Sequence, residues 1–310
     1  MTRASIGAAF AASAVAVGVT LALSTVPGGV AFPVALSAAL FGGVVTGPLA
    51  QRSGPRRWVG AAAVLLPGGL AVLAVLETQP VLELQPLMWL AAGLGVGGGA
   101  SCVLVPVLTA IGTGTGRHRA VALGVASAGG PVGGAIVPLV AVWLVERDGL
   151  RGGLLAVAVG SAVLLAICAA ASPARPTAAT VAPRPGPMPG FGRLYLGSVA
   201  LSVAVFVPLA HLPGYAQAHG LGLPFAAAML STTSLAGIVG RLLAGPVADR
   251  FGAESGMRAC ALGLAAASGW WIAAGPSPAV VVVFAVVFGL ANGGYVGLFP
   301  ELLISRFGAA

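Results

Sequence analysis

The sequence predicts an all-α membrane protein, a polytopic helical bundle of ten spans in two parallel-repeat halves of six and four helices. Three observations carry that prediction. The chain has 310 residues, 58% of them hydrophobic and only 7% charged, and its mean hydropathy is +1.03. A soluble domain carries about 25% charged residues, so a soluble enzyme and a disordered chain are both excluded. Apolar runs of about twenty residues, the length that crosses a bilayer core, recur along the whole chain. The arginines between those runs alternate as one particular span count requires.

Taken in order, the spans fall at 5–24, 29–50, 58–76, 86–111, 120–144, 152–171, 194–214, 224–245, 258–275 and 279–303. Strands of a membrane barrel would be about ten residues of alternating polarity. These runs are longer and continuously apolar, so they are helices. Arg3 ahead of the first run imitates a signal peptide, but nine similar runs follow and it is read as span one. All 15 basic residues are arginine. With the N-terminus in the cytoplasm, 13 of them fall inside, counting Arg241 at a span end: Arg3, Arg52, Arg56, Arg57, Arg117, Arg119, Arg175, Arg184, Arg193, Arg241, Arg250, Arg258 and Arg306. Arg147 and Arg151 fall outside. That asymmetry obeys the positive-inside rule and places the chain in the cell membrane. It also accounts for the net charge of +8 through topology, with no nucleic-acid partner. Cys102, Cys168 and Cys260 lie inside apolar runs and fit no metal motif. No metal or organic cofactor is indicated.

Residues 172–192, SPARPTAATVAPRPGPMPGFG, form the longest non-apolar stretch. Rich in Pro, Ala and Gly, it reads as a cytoplasmic linker between a six-helix bundle (1–171) and a four-helix bundle (193–310). A repeat supports the division. Gly47-Pro-Leu-Ala-Gln-Arg-Ser-Gly54 matches Gly245-Pro-Val-Ala-Asp-Arg-Phe-Gly252 at five of eight positions, each copy following the second span of its half. Gly93-Leu-Gly-Val-Gly-Gly-Gly99 and Gly289-Leu-Ala-Asn-Gly-Gly294 echo each other in the fourth spans. Duplicated bundles of one orientation are the pattern of parallel transporter repeats. From Gly47 to the end of span six is about 125 residues on these span lengths. The same distance from Gly245 runs past Ala310, so two further spans are expected.

The loop GPLAQRSGPRR (47–57) and its copy GPVADRFG (245–252) resemble the motif G-x-L-A-D-R-x-G-x-R-R of the major facilitator superfamily. Within that superfamily, RHRAVALGVASAGGPVGG (117–134), PLAHLPGYAQAHGL (208–221) and GIVGRLLAGPVADRFG (237–252) look most like the monocarboxylate porter group, including oxalate/formate-type relatives. The resemblance implies secondary transport of a small organic solute, a monocarboxylate or related anion. Rocking of one bundle against the other would expose a midplane site alternately, coupled to a proton or a counter-substrate.

The resemblance also implies roles for single residues. The motif acid latches the two halves, a role that Asp249 fits and Gln51 does not. Gly47, Gly54, Gly245 and Gly252 permit tight turns and close approach. Arg52, Arg56, Arg57 and Arg250 complete the loop motif, and the first three are suited to anionic headgroups. The plainer alternative is a basic loop that only sets topology. Arg241, about one turn before Gly245, matches a span-eight arginine that forks onto a substrate carboxylate. The group's paired acid is replaced by Gly237. An arginine snorkelling to the interface is the alternative. His211, Tyr215, Asn292 and Tyr295 are further lining residues, with structural hydrogen bonding, interfacial anchoring or packing as their alternatives. Gly124, Gly129, Gly130, Gly133 and Gly134 around Pro131 give span five a close-packing face, which in the family lies along the boundary between the halves. Glu301 is read as interfacial.

Two other readings stand beside transport. One is a truncated remnant that does not transport. The other is a rhomboid-like intramembrane serine protease, with Ser101 in Gly99-Ala-Ser-Cys as nucleophile and His211 as base.

Overall fold

The computed structural model describes residues 3–26, 30–76, 84–112, 119–174, 190–275 and 277–307. Among the described residues there is helix and no strand. Each of the ten expected spans falls on helix. The helices are α1 (Arg3–Ala22), α2 (Ala31–Ser53), α3 (Pro55–Leu76), α4 (Gln85–Leu90), α5 (Gly98–Gly112), α6 (Arg119–Ala171), α7 (Phe191–Ala218), α8 (Gly222–Phe251), α9 (Ala253–Ala274) and α10 (Pro278–Phe307). Between α4 and α5 the helix widens to a π-helical stretch, Ala91–Gly97, and the three pieces make one span.

Eight stretches are long and apolar enough to cross a membrane. One of them, Gly124–Ala171, runs 48 residues, about twice what a bilayer needs. Gly149 breaks it with a backbone at φ 74°, ψ 170°, so it divides into spans five and six. The expected outer loop there shrinks to that one glycine. Pro131 keeps helical dihedrals and does not interrupt span five. The 22-residue α9 is more polar, with Glu254, Ser255 and Arg258 in its first turns. Large apolar side chains such as Ile272 (84% exposed) and Phe41 (76%) cover the outside, as a lipid-facing surface requires.

The chain divides into two compact units, Met1–Thr180 and Val181–Ala310. Most of the expected linker, 175–189, lies outside the described residues. In lipid no hydrophobic force draws helices together, so small residues that let backbones touch decide the pairing. In unit 1, Gly129 of α6 sits on the carbonyl of Phe10 in α1, and Gly133 on that of Ala14. Gly129, Gly130 and Gly133 of span five are therefore spent on α1, inside unit 1.

Spans two and four pair in the same way. Gly97 meets the Ala35 carbonyl, and a Cβ on Gly43 would come 2.7 Å from Val105 Cγ2. Thr46 Oγ1 donates to the Ser101 carbonyl at 3.0 Å. The π stretch also touches α3, where a Cβ on Gly69 would come 2.6 Å from the Ala91 carbonyl. Gly93, Gly97 and Gly99 are thus buried packing positions.

Unit 2 repeats the span-two/span-four pairing as α8 on α10. Gly289 meets the Thr233 carbonyl, Gly293 the Gly237 carbonyl, and Gly240 the Leu290 carbonyl. Contact positions rise together along both helices in each pair, so both pairs run parallel, as a duplicated bundle of one orientation requires.

Candidate functional site

The repeated motif folds as two helix–helix corners of one residue each. Expected as loops, both copies are helical except for a single glycine. Gly54 stands at φ 80°, ψ 153°, and Gly252 at φ 81°, ψ 147°. That region is essentially restricted to glycine. The Gly54 N–H donates to the Ala50 carbonyl at 2.9 Å, and the Gly252 N–H to the Ala248 carbonyl at 2.9 Å.

Beyond the backbone the corners differ. Gly47 is buried, and a Cβ there would come 2.9 Å from Val105 Cγ1, whereas Gly245 has nothing within 4 Å. Gln51, Arg52, Arg56 and Arg57 are all exposed. The Trp58 Nε1–H donates to Ser53 Oγ at 2.7 Å, and the Arg56 N–H to the Pro173 carbonyl at 3.3 Å.

In the second corner Asp249 and Arg250 are exposed, and the Arg250 guanidinium lies 5.4 Å over the Phe251 ring. Asp249, expected as a latch, makes no ion pair among the described residues. The clamped acid is Glu254, which pairs with Arg258 at 2.7 Å and with Arg306 of α10 at 3.2 Å. Hydrogen bonds from Arg306 and Arg258 hold its carboxyl below the usual carboxylate range. Sequence reasoning passed over Glu254, although its spacing to Arg258 is that of a helical i,i+4 pair.

The other candidate residues, all in unit 2, fall into two layers. Arg241 is half-buried in α8 where α10 presses against it: a Cβ on Gly297 would come 3.4 Å from Arg241 Cα and 2.7 Å from Ala244 Cβ. Asn292 and Tyr295 are half-buried on α10, and Tyr295 packs on Phe299 at 5.9 Å between ring centroids. A Cβ at Gly237 would stand 3.5 Å from the Gly289 carbonyl. That leaves room for a methyl in ordinary contact.

Tyr215 belongs to an aromatic ladder elsewhere. Its ring lies 4.2 Å from His219 and 5.0 Å from Trp271. Trp271 in turn packs on Phe284 at 4.6 Å, and Phe284 on Phe288 at 4.9 Å. His211, one turn from Tyr215 along α7, is exposed, with Nδ1 2.9 Å from the Val207 carbonyl. The rise from Phe284 to Gly297 along α10 is about 20 Å. The structure therefore brings Arg241, Asn292 and Tyr295 to one helix pair and sets Tyr215 in a separate layer. His219, Trp271 and Phe284 were not singled out from sequence. The Trp270-Trp271 pair was the one local signal.

Ser101 is 2% exposed, and its hydroxyl donates to the Gly98 carbonyl at 2.7 Å. A hydroxyl so buried and spent on its own helix lacks the access a nucleophile needs, and the protease reading falls. Among the described residues no cluster of His, Cys, Asp and Glu could hold a metal. The side chain of Glu301 lies outside the described residues, as do Arg117, Arg175 and Arg184.

Comparison with known proteins agrees with this architecture. The chain is 30% identical to the MFS transporter asaE of Aspergillus flavus over 218 residues, 66% of this chain and 48% of that protein. It is 27% identical to the aspyridones efflux protein apdF of Emericella nidulans, over 87% of this chain and 55% of that one. The fujikurins efflux protein of Gibberella fujikuroi is 28% identical, over 86% and 58%. The chain spans about half the length of these curated relatives. Among solved structures, a D-xylose–proton symporter superposes with a TM-score of 0.66 at 16% identity, over 97% of this chain and 81% of that one. A bacterial homologue of the human lysosomal transporter Spinster, inward-facing, gives 0.60 at 16% identity, over 96% and 73%. At that identity the likeness is one of fold. The model of the Major Facilitator Superfamily matches residues 1–310, and the chain belongs to that superfamily.

Proposed function

We propose that the chain acts as a secondary transporter in the cell membrane, N-terminus cytoplasmic, moving a small organic anion by alternating access. The observation that carries the anion is Arg241. It is a half-buried guanidinium in an apolar helix, and a charge within a membrane-spanning segment is expensive enough to mark function by default. Its planar fork suits a carboxylate. Asn292 and Tyr295, on the helix packed against it, are the proposed neighbours of the bound solute. His211 and Tyr215 would act further out along the path. The Gly47–Arg57 and Gly245–Gly252 corners are the proposed gating elements. With glycine at 237 the site lacks the monocarboxylate group's acid, so proton coupling would need another group or give way to counter-substrate exchange.

The test is uptake of labelled lactate, pyruvate, oxalate and formate into proteoliposomes, with and without an inward proton gradient, beside Arg241→Ala. Saturable uptake that falls at least tenfold in Arg241→Ala is expected. No uptake by a folded, inserted chain would rule out the carboxylate assignment. A second reading, export of a larger organic product, is favoured by the names of the efflux proteins among the relatives. It predicts that a preloaded apolar solute leaves the liposomes in exchange while none of the four acids enters.

A further inference from the structure

We infer that the α2–α3 corner of unit 1 is a docking site for the headgroups of anionic phospholipids, formed by Arg52, Arg56 and Arg57. This goes beyond the proposed cargo and holds whatever solute is moved.

Three arginines lie within six residues on either side of a one-residue turn. All three are exposed, and none makes an ion pair among the described residues. The stretch of chain around them brings no acid of its own. Residues 1–76 contain no Asp or Glu, and the first ones, Glu77 and Glu83, come after α3 has run its full length. Three like charges so close together repel one another, and among the described residues none of them is offset by an ion pair.

The second corner is an internal control. It has the same backbone, but Glu254 takes up both Arg258 and Arg306 there. The first corner also ends two spans at the membrane surface on the side where the arginines collect, the side whose leaflet is anionic. A guanidinium matches a phosphate with two parallel hydrogen bonds. The half-buried Trp58 indole, tied to Ser53 Oγ, is the kind of amphipathic ring that settles at headgroup level. Charge complementarity therefore selects an anionic headgroup over a zwitterionic one.

The test uses the full chain in phosphatidylcholine bilayers containing spin-labelled phosphatidylglycerol or spin-labelled phosphatidylcholine. The fraction of motionally restricted label is read for each. Wild type is expected to restrict the anionic label severalfold more than the zwitterionic one. The triple variant R52Q/R56Q/R57Q should lose most of that preference, while R250Q keeps it. If the triple variant does not fold, as judged by helical circular dichroism and elution volume, R52Q and R57Q are read singly, each lowering the preference in part. Unchanged preference in the folded variants overturns the proposal. So does its loss on adding inorganic phosphate at an ionic strength where sodium chloride leaves it intact, because the site would then be one for free anions.

Discussion

Where α2 turns into α3 the chain sets three exposed arginines and no acid, and it buries Gly47 against Val105. Where α8 turns into α9 it sets Glu254 between Arg258 and Arg306 and leaves Gly245 in the open. The two turns nonetheless share a glycine at almost the same φ and ψ and the same hydrogen bond back to the preceding helix. A duplicated corner thus keeps what its own few residues dictate. It diverges in what distant residues contribute: Val105 from span four in one unit, Arg306 from the end of α10 in the other. The shared part is local backbone chemistry, and the divergent part is tertiary.

The largest effect should come from breaking what the corners share. Gly54→Val and Gly252→Val each force a β-branched residue into a glycine-only region, at a cost of about 3 kcal/mol. Thermal unfolding in detergent, followed by tryptophan fluorescence, should show two equal losses. Unequal losses would mean that the turns are not equivalent. Packing should separate the corners next. Gly47→Leu has to displace Val105 and should cost about 2 kcal/mol, whereas Gly245→Leu should stay within about 0.5 kcal/mol of wild type. The same unfolding assay decides it.

The smallest effect sharpens the electrostatic contrast. Because Arg306 and Arg258 lower the Glu254 carboxyl, its contribution is complete above the ordinary carboxylate pKa of about 4.3. It is lost as pH falls through the lowered value. The stability difference between wild type and Glu254→Gln should hold steady from about pH 8 to pH 6 and close on further acidification below about pH 4. A difference that persisted in strong acid would mean that Glu254 acts by packing. Gln51 and its arginines carry no such acid, so Gln51→Asn should leave the pH profile of wild type unchanged.

The fold was legible to the extent that it rests on local properties. Hydropathy located every span, and the GP-x-A-x-R-x-G repeat located both corners. The spans came out too short at those corners because a loop was assumed where a single glycine suffices. The linkage of spans five and six failed to show for the same reason: Gly149 alone makes the break. The candidate site was legible residue by residue and not as an assembly. Arg241 stood out because a charge in an apolar run is conspicuous. Tyr215 was grouped with it on type, yet its ring is engaged by His219 and Trp271, in a layer about 20 Å from the level of Gly297.

By itself the sequence determined that the chain is helical and built for a membrane, where its helices lie along the chain, and that its halves repeat. Composition, hydropathy and glycine's access to positive φ act within a single segment. Only the tertiary structure decided that Gly129, Gly130 and Gly133 face α1, that α8 and α10 meet along Gly237, Gly240, Gly289 and Gly293, and that Glu254 is clamped from α10 while Asp249 stands exposed. In lipid nearly every face of an apolar helix is equally soluble. Which faces meet is settled by where two backbones can approach closely, and that is a property of pairs of helices.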